Sequence, residues 1–340
     1  MTADILIKTK PIARFVTGSE LFTRWRDDVR SGTGPVLYRH AFPYPEIGPG
    51  LVTLIGGPPG EGKTSFTSSI VTDGMRFQPE LNVLVASCEM TPESFLNRQL
   101  ARLSGIDADL VRRRQLGLEH EERLEAGLAT LETIVNRLTF MNAPFDVGNV
   151  AASADACHAD IVVIDYVQRF SVPGEDAEAR HRVNRTMDYL RQFANEGIAV
   201  IVVSAVGRSR DKAGRSSYAG DGLSLASFRE TSELEYGADD ALILARVNEN
   251  DPEIVRLSHF KARHGCQVNQ EFRFNRAVQS FTLLSGDKEV ERASAKGSKY
   301  AARPTTRASV TEELLRLWEG GAAADDDSPA PETPAGVGDE

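Results

Sequence analysis

Cysteine is scarce. The 340-residue chain has three, Cys88, Cys157 and Cys266, an odd number at wide spacings. That excludes a disulfide framework and the close cysteine pairs of a zinc site, and it fits reduced thiols in a cytoplasm. No run of eighteen apolar residues occurs, so no transmembrane helix and no membrane partner are expected. The first residues, MTADILIKTKPIARF, lack the apolar core and cleavage site of a signal peptide. A cytoplasmic location is therefore expected. Basic charge is also in deficit: 39 Lys and Arg against 49 Asp and Glu leave −10, which argues against an indiscriminate nucleic-acid binder. The deficit is uneven. Residues 320–340 carry Asp325, Asp326, Asp327, Glu332, Asp339 and Glu340 and no basic residue, so the rest of the chain carries only −4. Local basic loops therefore matter more than the total.

What is present is ordinary for a globular protein with a sizeable core: 41% hydrophobic and 26% charged residues. Residues 1–34 read as an arm and a short helix at 19–30. Ser19 can cap that helix, and Leu21, Phe22, Trp25 and Val29 share a face expected to pack on the chain's own core. From 35 to 284, apolar runs alternate with helical stretches. Strands are predicted at 51–57, 81–89, 138–144, 160–167, 199–206, 240–247, 253–263 and 271–275, and helices at 63–76, 91–104, 119–137 and 177–196. Continuous Val- and Ile-rich runs suit parallel strands covered on both faces. The fold class is therefore α/β, one domain with a mainly parallel central sheet. The short turn between 263 and 271 predicts a C-terminal antiparallel hairpin. Beyond 285 the pattern stops: 309–319 reads as an isolated amphipathic helix within a tail whose composition favours disorder. No internal repeat is present.

The strongest motif is GPPGEGKT: Gly57, Pro58, Pro59, Gly60, Glu61, Gly62, Lys63 and Thr64, followed by Ser65. An apolar run precedes it and a helix can start at Lys63, the strand–loop–helix context of a phosphate-binding loop. Glycines let successive N–H groups turn toward phosphate oxygens, and the helix N-terminus adds positive potential. Lys63 would reach the β- and γ-phosphates of ATP, and the Thr64 hydroxyl would hold Mg²⁺. In IVVIDYVQ (161–168), Asp165 ends a predicted central strand, where a carboxylate can hold Mg²⁺. Glu89 ends the strand after the phosphate-loop helix and could deprotonate an attacking water. Taken alone, Glu89 reads more simply as a helix N-terminal charge beside Thr91.

SCEMTPESFLNRQLARLSGID (87–107), VVIDYVQ (162–168), FRETSELEYGADDALILAR (228–246) and HFKARHG (259–265) follow the phosphate loop in order. Together they resemble the C-terminal, RecA-like P-loop ATPase domain of DnaB-type replicative DNA helicases, over roughly 35–284. The resemblance implies ATP hydrolysis with Glu89 as catalytic base and Asp165 on Mg²⁺. It implies that Lys261 and Arg263 serve the ATP of a neighbouring subunit, with Arg263 as an arginine finger. It also implies a homo-oligomeric, hexameric ring, single-stranded DNA as ligand and other replication proteins as partners. Two departures stand out. Only about fifty residues precede the phosphate loop, so the family's helical N-terminal domain is not expected here. The strand after Asp165, which in the family usually ends Ser-Gln, here ends Ser204-Ala205, and alanine cannot hydrogen-bond.

The 207–222 loop carries Arg208, Arg210, Lys212 and Arg215, a basic set that reads equally as a DNA-tracking element or a solvated surface loop. Arg169, Arg180, Arg182 and Arg185 surround the loop after Asp165 but are offset by Glu175, Asp176 and Glu178. The leading reading is a helicase-like motor ATPase of DNA replication. The alternative is a regulatory RecA-like ATPase of plasmid or phage replication, without unwinding. A nucleotide-binding scaffold with little hydrolysis fits less well, because Lys63, Thr64, Glu89 and Asp165 are all intact.

Overall fold

Residues buried on both faces have no use for alternation, and the apolar runs of the sequence become adjacent parallel strands. β1 (Val52–Gly57) and β4 (Ile161–Asp165) are buried throughout, and β5 (Ala199–Ala205) is buried up to its last residue. The computed structural model describes residues 16–174, 178–206, 209–210, 216–217, 223–224, 227–228, 232–247, 251–286 and 309–315. Among them, those up to Val36 form one unit and those from Leu37 onward another.

The first unit holds α1 (Gly18–Ser31). Thr17 caps it, not Ser19: Glu20 N–H donates to the Thr17 hydroxyl (3.3 Å), and Thr17 N–H donates back to Glu20 Oε2 (3.0 Å). This reciprocal box starts the helix two residues earlier than Ser19 would. No residue of α1 is buried, and Trp25 is 55% exposed. Leu21, Phe22, Trp25 and Val29 are exposed, so nothing within this unit covers the face expected to pack on a core; amphipathic spacing shows that a face exists, not what covers it.

In the second unit the remaining strands are β2 (Val83–Ser87), β3 (Leu138–Phe140), β8 (Asp240–Arg246), β9 (Ile254–Ala262), β10 (Gln270–Asn275) and β11 (Ser280–Gly286). Two-residue strands β6 (Ser209–Arg210) and β7 (Ser216–Ser217) pair with each other. The main sheet runs β11-β10-β9-β8-β1-β5-β4-β2-β3. β8, β1, β5, β4, β2 and β3 are parallel, while β9, β10 and β11 continue the sheet antiparallel from β8. The predicted hairpin is β9–β10, and the sequence reading misses β11, whose Ser-Phe-Thr-Leu-Leu run is short and half-exposed.

Helices α2 (Lys63–Phe77), α3 (Pro92–Ser104), α4 (Ala108–Arg113), α5 (Glu121–Glu132), α6 (Val147–Ala156), α7 (Ala179–Asn195) and α8 (Ser232–Gly237) accompany the sheet. The single helix predicted at 119–137 is α5 between two 3₁₀ turns, Leu118–His120 and Val135–Arg137. Buried Asp73 of α2 holds Arg102 of α3 at 3.0 and 3.2 Å, a charged tie that fixes α3 beside the phosphate loop.

The helix predicted at 309–319 is described over 310–315, and it is not isolated. Val310 and Leu314 are buried in the main core. Asp155 of α6 caps it, accepting from Ser309 Oγ (2.7 Å), Val310 N–H (3.2 Å) and Thr311 N–H (2.9 Å). Burial works against the Asp155 charge, but these bonds, led by Thr311, hold its carboxyl below the usual range. A docked segment after a featureless stretch cannot be told from a free one by periodicity.

Candidate active site

The parallel register brings four strand ends to one edge. Gly57 lies beside Ala205, Ser87 beside Asp165, and Asp165 beside Val203. Loops leaving that edge converge, which is where open parallel sheets bind ligands.

The phosphate loop takes its shape from its glycines. Gly60 and Gly62 have φ of +79° and +90°, which a side chain would strain. A Cβ at Gly57 would collide with the Leu244 carbonyl, and one at Gly62 would lie 2.6 Å from the Phe274 ring. α2 starts at Lys63, so its N-terminus points into the loop. Lys63 Nζ donates to the carbonyls of Gly57 (2.7 Å) and Pro58 (2.9 Å). Burial lowers the Lys63 pKa, opposed by the charges of Asp165, Glu89 and Glu61. Pro58 is buried, whereas Pro59 and Gly60 are exposed at the tip.

Glu61 is buried, and its carboxylate does not face the loop unpaired. Arg246 Nε lies 2.8 Å from Oε1, and Arg276 lies 3.4 Å from Oε2 and also bonds the Gly60 carbonyl. Gln279, in the same β10–β11 turn as Arg276, accepts from Ser65 Oγ at 2.6 Å. Arg98 of α3 approaches the same hydroxyl at 3.5 Å. Arg276 and Gln279 come from more than two hundred residues away and lie in no quoted segment, while Arg98 and Arg246 lie inside quoted segments without being singled out, so the sequence reading misses all four.

Asp165 is the centre of the oxygen-rich part of the site. Its Oδ2 accepts from Thr64 Oγ1 (3.1 Å) and Ser87 Oγ (3.3 Å). Burial pushes its carboxyl above the ordinary range; the Thr64 bond opposes that shift and the Glu89 charge adds to it. Ser87 is missed by the sequence reading although it sits two residues before Glu89 in the segment quoted above. Glu89 itself is exposed just past β2, close enough that its charge acts on Asp165, Lys63 and Cys88. Burial first, then Asp165, pushes the Cys88 thiol up to about 11, so it is inert near neutrality.

The donor set fits its expected ligands. Two hydroxyls and one carboxylate are hard oxygen donors suited to Mg²⁺ with water. Thr67 Oγ1, one turn beyond Thr64 and lining the same cleft as Asp165, is buried without a hydrogen-bond partner. No cluster of three His, Cys, Asp or Glu occurs among the described residues.

Lys261 and Arg263 are not in this group. Ala262 pairs with Asp240, which lies beside Thr53 at the start of β1. Gly57 is four residues on, so the two edges are roughly 13 Å apart at ~3.3 Å per residue. Lys261 Nζ bonds the Ala238 (2.8 Å) and Tyr236 (3.3 Å) carbonyls, and Arg263 pairs with Asp239 at 2.8 Å. At the end of β5, the Gln168 side chain donates to Ser204 Oγ (2.8 Å) and accepts from Ala205 N–H (3.4 Å). Arg208, Lys212 and Arg215 lie outside the described residues, and Arg210 is described only as backbone of β6. Among the described residues no helix is long and apolar enough to cross a membrane.

At pH 8 we expect Asp165→Asn to raise Tm by about 2–4 °C. A carboxyl whose folded pKa is raised costs stability once the pH exceeds its unfolded value, so the gap should close as the pH falls toward 4. Thermal melts across that range check this; a Tm lowered at pH 8 would show that the charge is stabilising.

The model of the DnaB-like helicase C terminal domain family matches residues 47–283. The replicative DNA helicase DnaB of Buchnera aphidicola subsp. Acyrthosiphon pisum (strain APS) is 24% identical over 246 residues, covering 69% of this chain and 52% of that protein. The chain thus spans about half the length of that curated relative. Among solved structures, an isolated ATPase domain superposes with a TM-score of 0.68 at 19% identity, covering 80% of this chain and all of that one. A DnaB-like replicative helicase described with its interactions with primase superposes at 0.67, also 19% identical, covering 80% of this chain and 68% of that one. The mostly parallel sheet with antiparallel C-terminal strands matches these folds, and the match over 47–283 places the chain in the DnaB-like helicase C-terminal domain family.

Proposed function

We propose that the chain is an ATP-hydrolysing motor subunit that works in a ring on single-stranded DNA. The observation that carries this reading is the division of functional groups between sheet edges. Lys63, Thr64, Asp165 and Glu89 gather at one edge, while Lys261 and Arg263 lie at the other. Within one subunit the two sets cannot meet; across a head-to-tail junction they can, and a repeated head-to-tail contact whose rotation closes makes a ring.

In this reading Lys63 exchanges the Gly57 and Pro58 carbonyls for the β- and γ-phosphates, and the loop amides cradle the same oxygens. Thr64 and Asp165 would hold Mg²⁺, which when bound would supply positive charge against the phosphates. Glu89 accepts a proton from a water whose oxygen bonds to the γ-phosphorus. The bond from that phosphorus to the β–γ bridging oxygen breaks, releasing ADP and phosphate. Arg263 of the next subunit stabilises the charge on the transferring group. The basic 207–222 loop follows β5 directly and is the proposed DNA contact.

Ala205 favours a second reading, a regulatory ATPase that turns over without unwinding. Coupling DNA grip to nucleotide state needs contacts that differ between states. At the end of β5 the side chain is a methyl group, and the nearby amide of Gln168 is bonded to Ser204 and to the Ala205 backbone.

Two measurements test these readings. Glu89→Gln should retain nucleotide binding while turnover falls about 10²–10⁴-fold. Lys63→Ala should weaken binding about 10–100-fold, the loss of a charge-assisted bond. Near-normal turnover in Glu89→Gln would remove it as base. Strand displacement by the unmodified protein should be weak relative to its DNA-stimulated ATP consumption. Efficient unwinding would reject the regulatory reading.

A further inference from the structure

Asp239 begins the turn into β8 and is 2% exposed. Its Oδ2 accepts from Val52 N–H at 2.8 Å and from Arg191 of α7 at 2.7 Å. Its Oδ1 lies 2.8 Å from Arg263 NH1. Arg191 also donates to the carbonyls of Gly237 (2.7 and 3.1 Å) and Gly50 (3.2 Å). Arg191 and Val52 together already satisfy one oxygen of the buried carboxylate and balance its charge. The other oxygen is turned to Arg263, whose side chain is 44% exposed, with His264 Nε2 farther off at 3.8 Å. The backbones are joined as well: Arg263 N–H donates to the Asp239 carbonyl at 3.0 Å, and Asp239 N–H donates to the Val52 carbonyl at 2.7 Å.

We propose that Asp239 is a positioning residue for the reaction: its buried carboxylate, anchored by Arg191 and Val52, fixes the half-exposed Arg263 guanidinium at the sheet edge for the neighbouring subunit's phosphates. This rests on the reading that Arg263 acts across the subunit junction. An arginine side chain has many rotamers, and holding it on a rigid strand start removes that freedom before the neighbour arrives. Val52 and Asp239 sit where β1 and β8 begin, so the anchor is continuous with the sheet.

A purely architectural Asp239 would act through Val52 on β1, the strand that carries its own subunit's phosphate loop. The two roles fall on opposite sides of a junction, so subunit mixing separates them. ATP turnover would be measured for Asp239→Asn alone and in rings shown by native mass spectrometry to contain two kinds of subunit. Asp239→Asn alone should lower kcat roughly 10–100-fold with KM little changed, a fraction of what an arginine finger supplies. Mixing it with Lys63→Ala should restore turnover, because one junction pairs an intact Arg263 with an intact phosphate loop. Mixing it with Arg263→Ala should restore none, because both lesions lie on the same side. The reverse pattern, or an unaltered kcat, overturns the proposal.

Arg263→Ala mixed with Lys63→Ala is the control for the underlying reading. No recovery there defeats the trans role itself; recovery there but none with Asp239→Asn and Lys63→Ala defeats only the Asp239 assignment. Asp239→Asn combined with Arg263→Ala in one chain should turn over no more slowly than Arg263→Ala, since residues acting as a unit are not additive. An additive loss contradicts the proposal. If Asp239→Asn does not assemble, Asp239→Glu keeps the charge for Arg191 and shifts the carboxylate by one methylene. It should give a smaller kcat loss with the same mixing pattern, and the reverse pattern would again overturn the assignment.

Discussion

The parallel register of β1, β5, β4 and β2 is the constraint on which the site depends. A parallel sheet sends every strand end of one kind to one edge, so Gly57, Asp165, Ser87 and Ala205 become neighbours though they are far apart in sequence. Both faces of β1 and β4 are buried, so a slip in register would have to repack the layers on either side of the sheet. The same geometry sends the starts of β1 and β8 to the opposite edge, where Asp239 holds Arg263.

Within the site the main tension is electrostatic. The charges of the buried Asp165 carboxylate and the half-buried Lys63 ammonium act on each other, and Glu89 adds negative charge. Burial shifts Asp165 and Lys63 each toward its neutral form. Two hydroxyls and two loop carbonyls make the arrangement tolerable. Such a site would suit a ligand carrying charges of both signs, as the proposed Mg²⁺ with a triphosphate would, better than it suits its own stability. Glu61 shows the complementary device: a carboxylate in the phosphate loop, which would repel an anion, is tied down by Arg246 and Arg276.

Much of this is legible in the sequence because the signals are local. Val- and Ile-rich runs mark the central strands, and GPPGEGKT between an apolar run and a helical stretch marks the phosphate loop. Asp165 is legible as the last residue of such a run. The rest depends on contacts between distant segments. Ser65–Gln279 and Glu61–Arg276 join residues more than two hundred positions apart, and nothing in either segment announces the other. Asp239 reads in sequence as one of two ordinary aspartates at a strand start. Likewise the apolar faces of α1 and of 310–315 have similar spacing, yet Trp25 is exposed and Leu314 is in the core.

The central claim is that one subunit holds only part of an active site. The most direct measurement is ATP turnover per subunit across a dilution series, with the oligomeric state followed by mass photometry at each concentration. The account predicts that turnover per subunit falls steeply as rings dissociate and nearly vanishes in monomers, since the Arg263 edge lies away from the subunit's own phosphate loop. Constant turnover per subunit in a sample shown to be monomeric would contradict it.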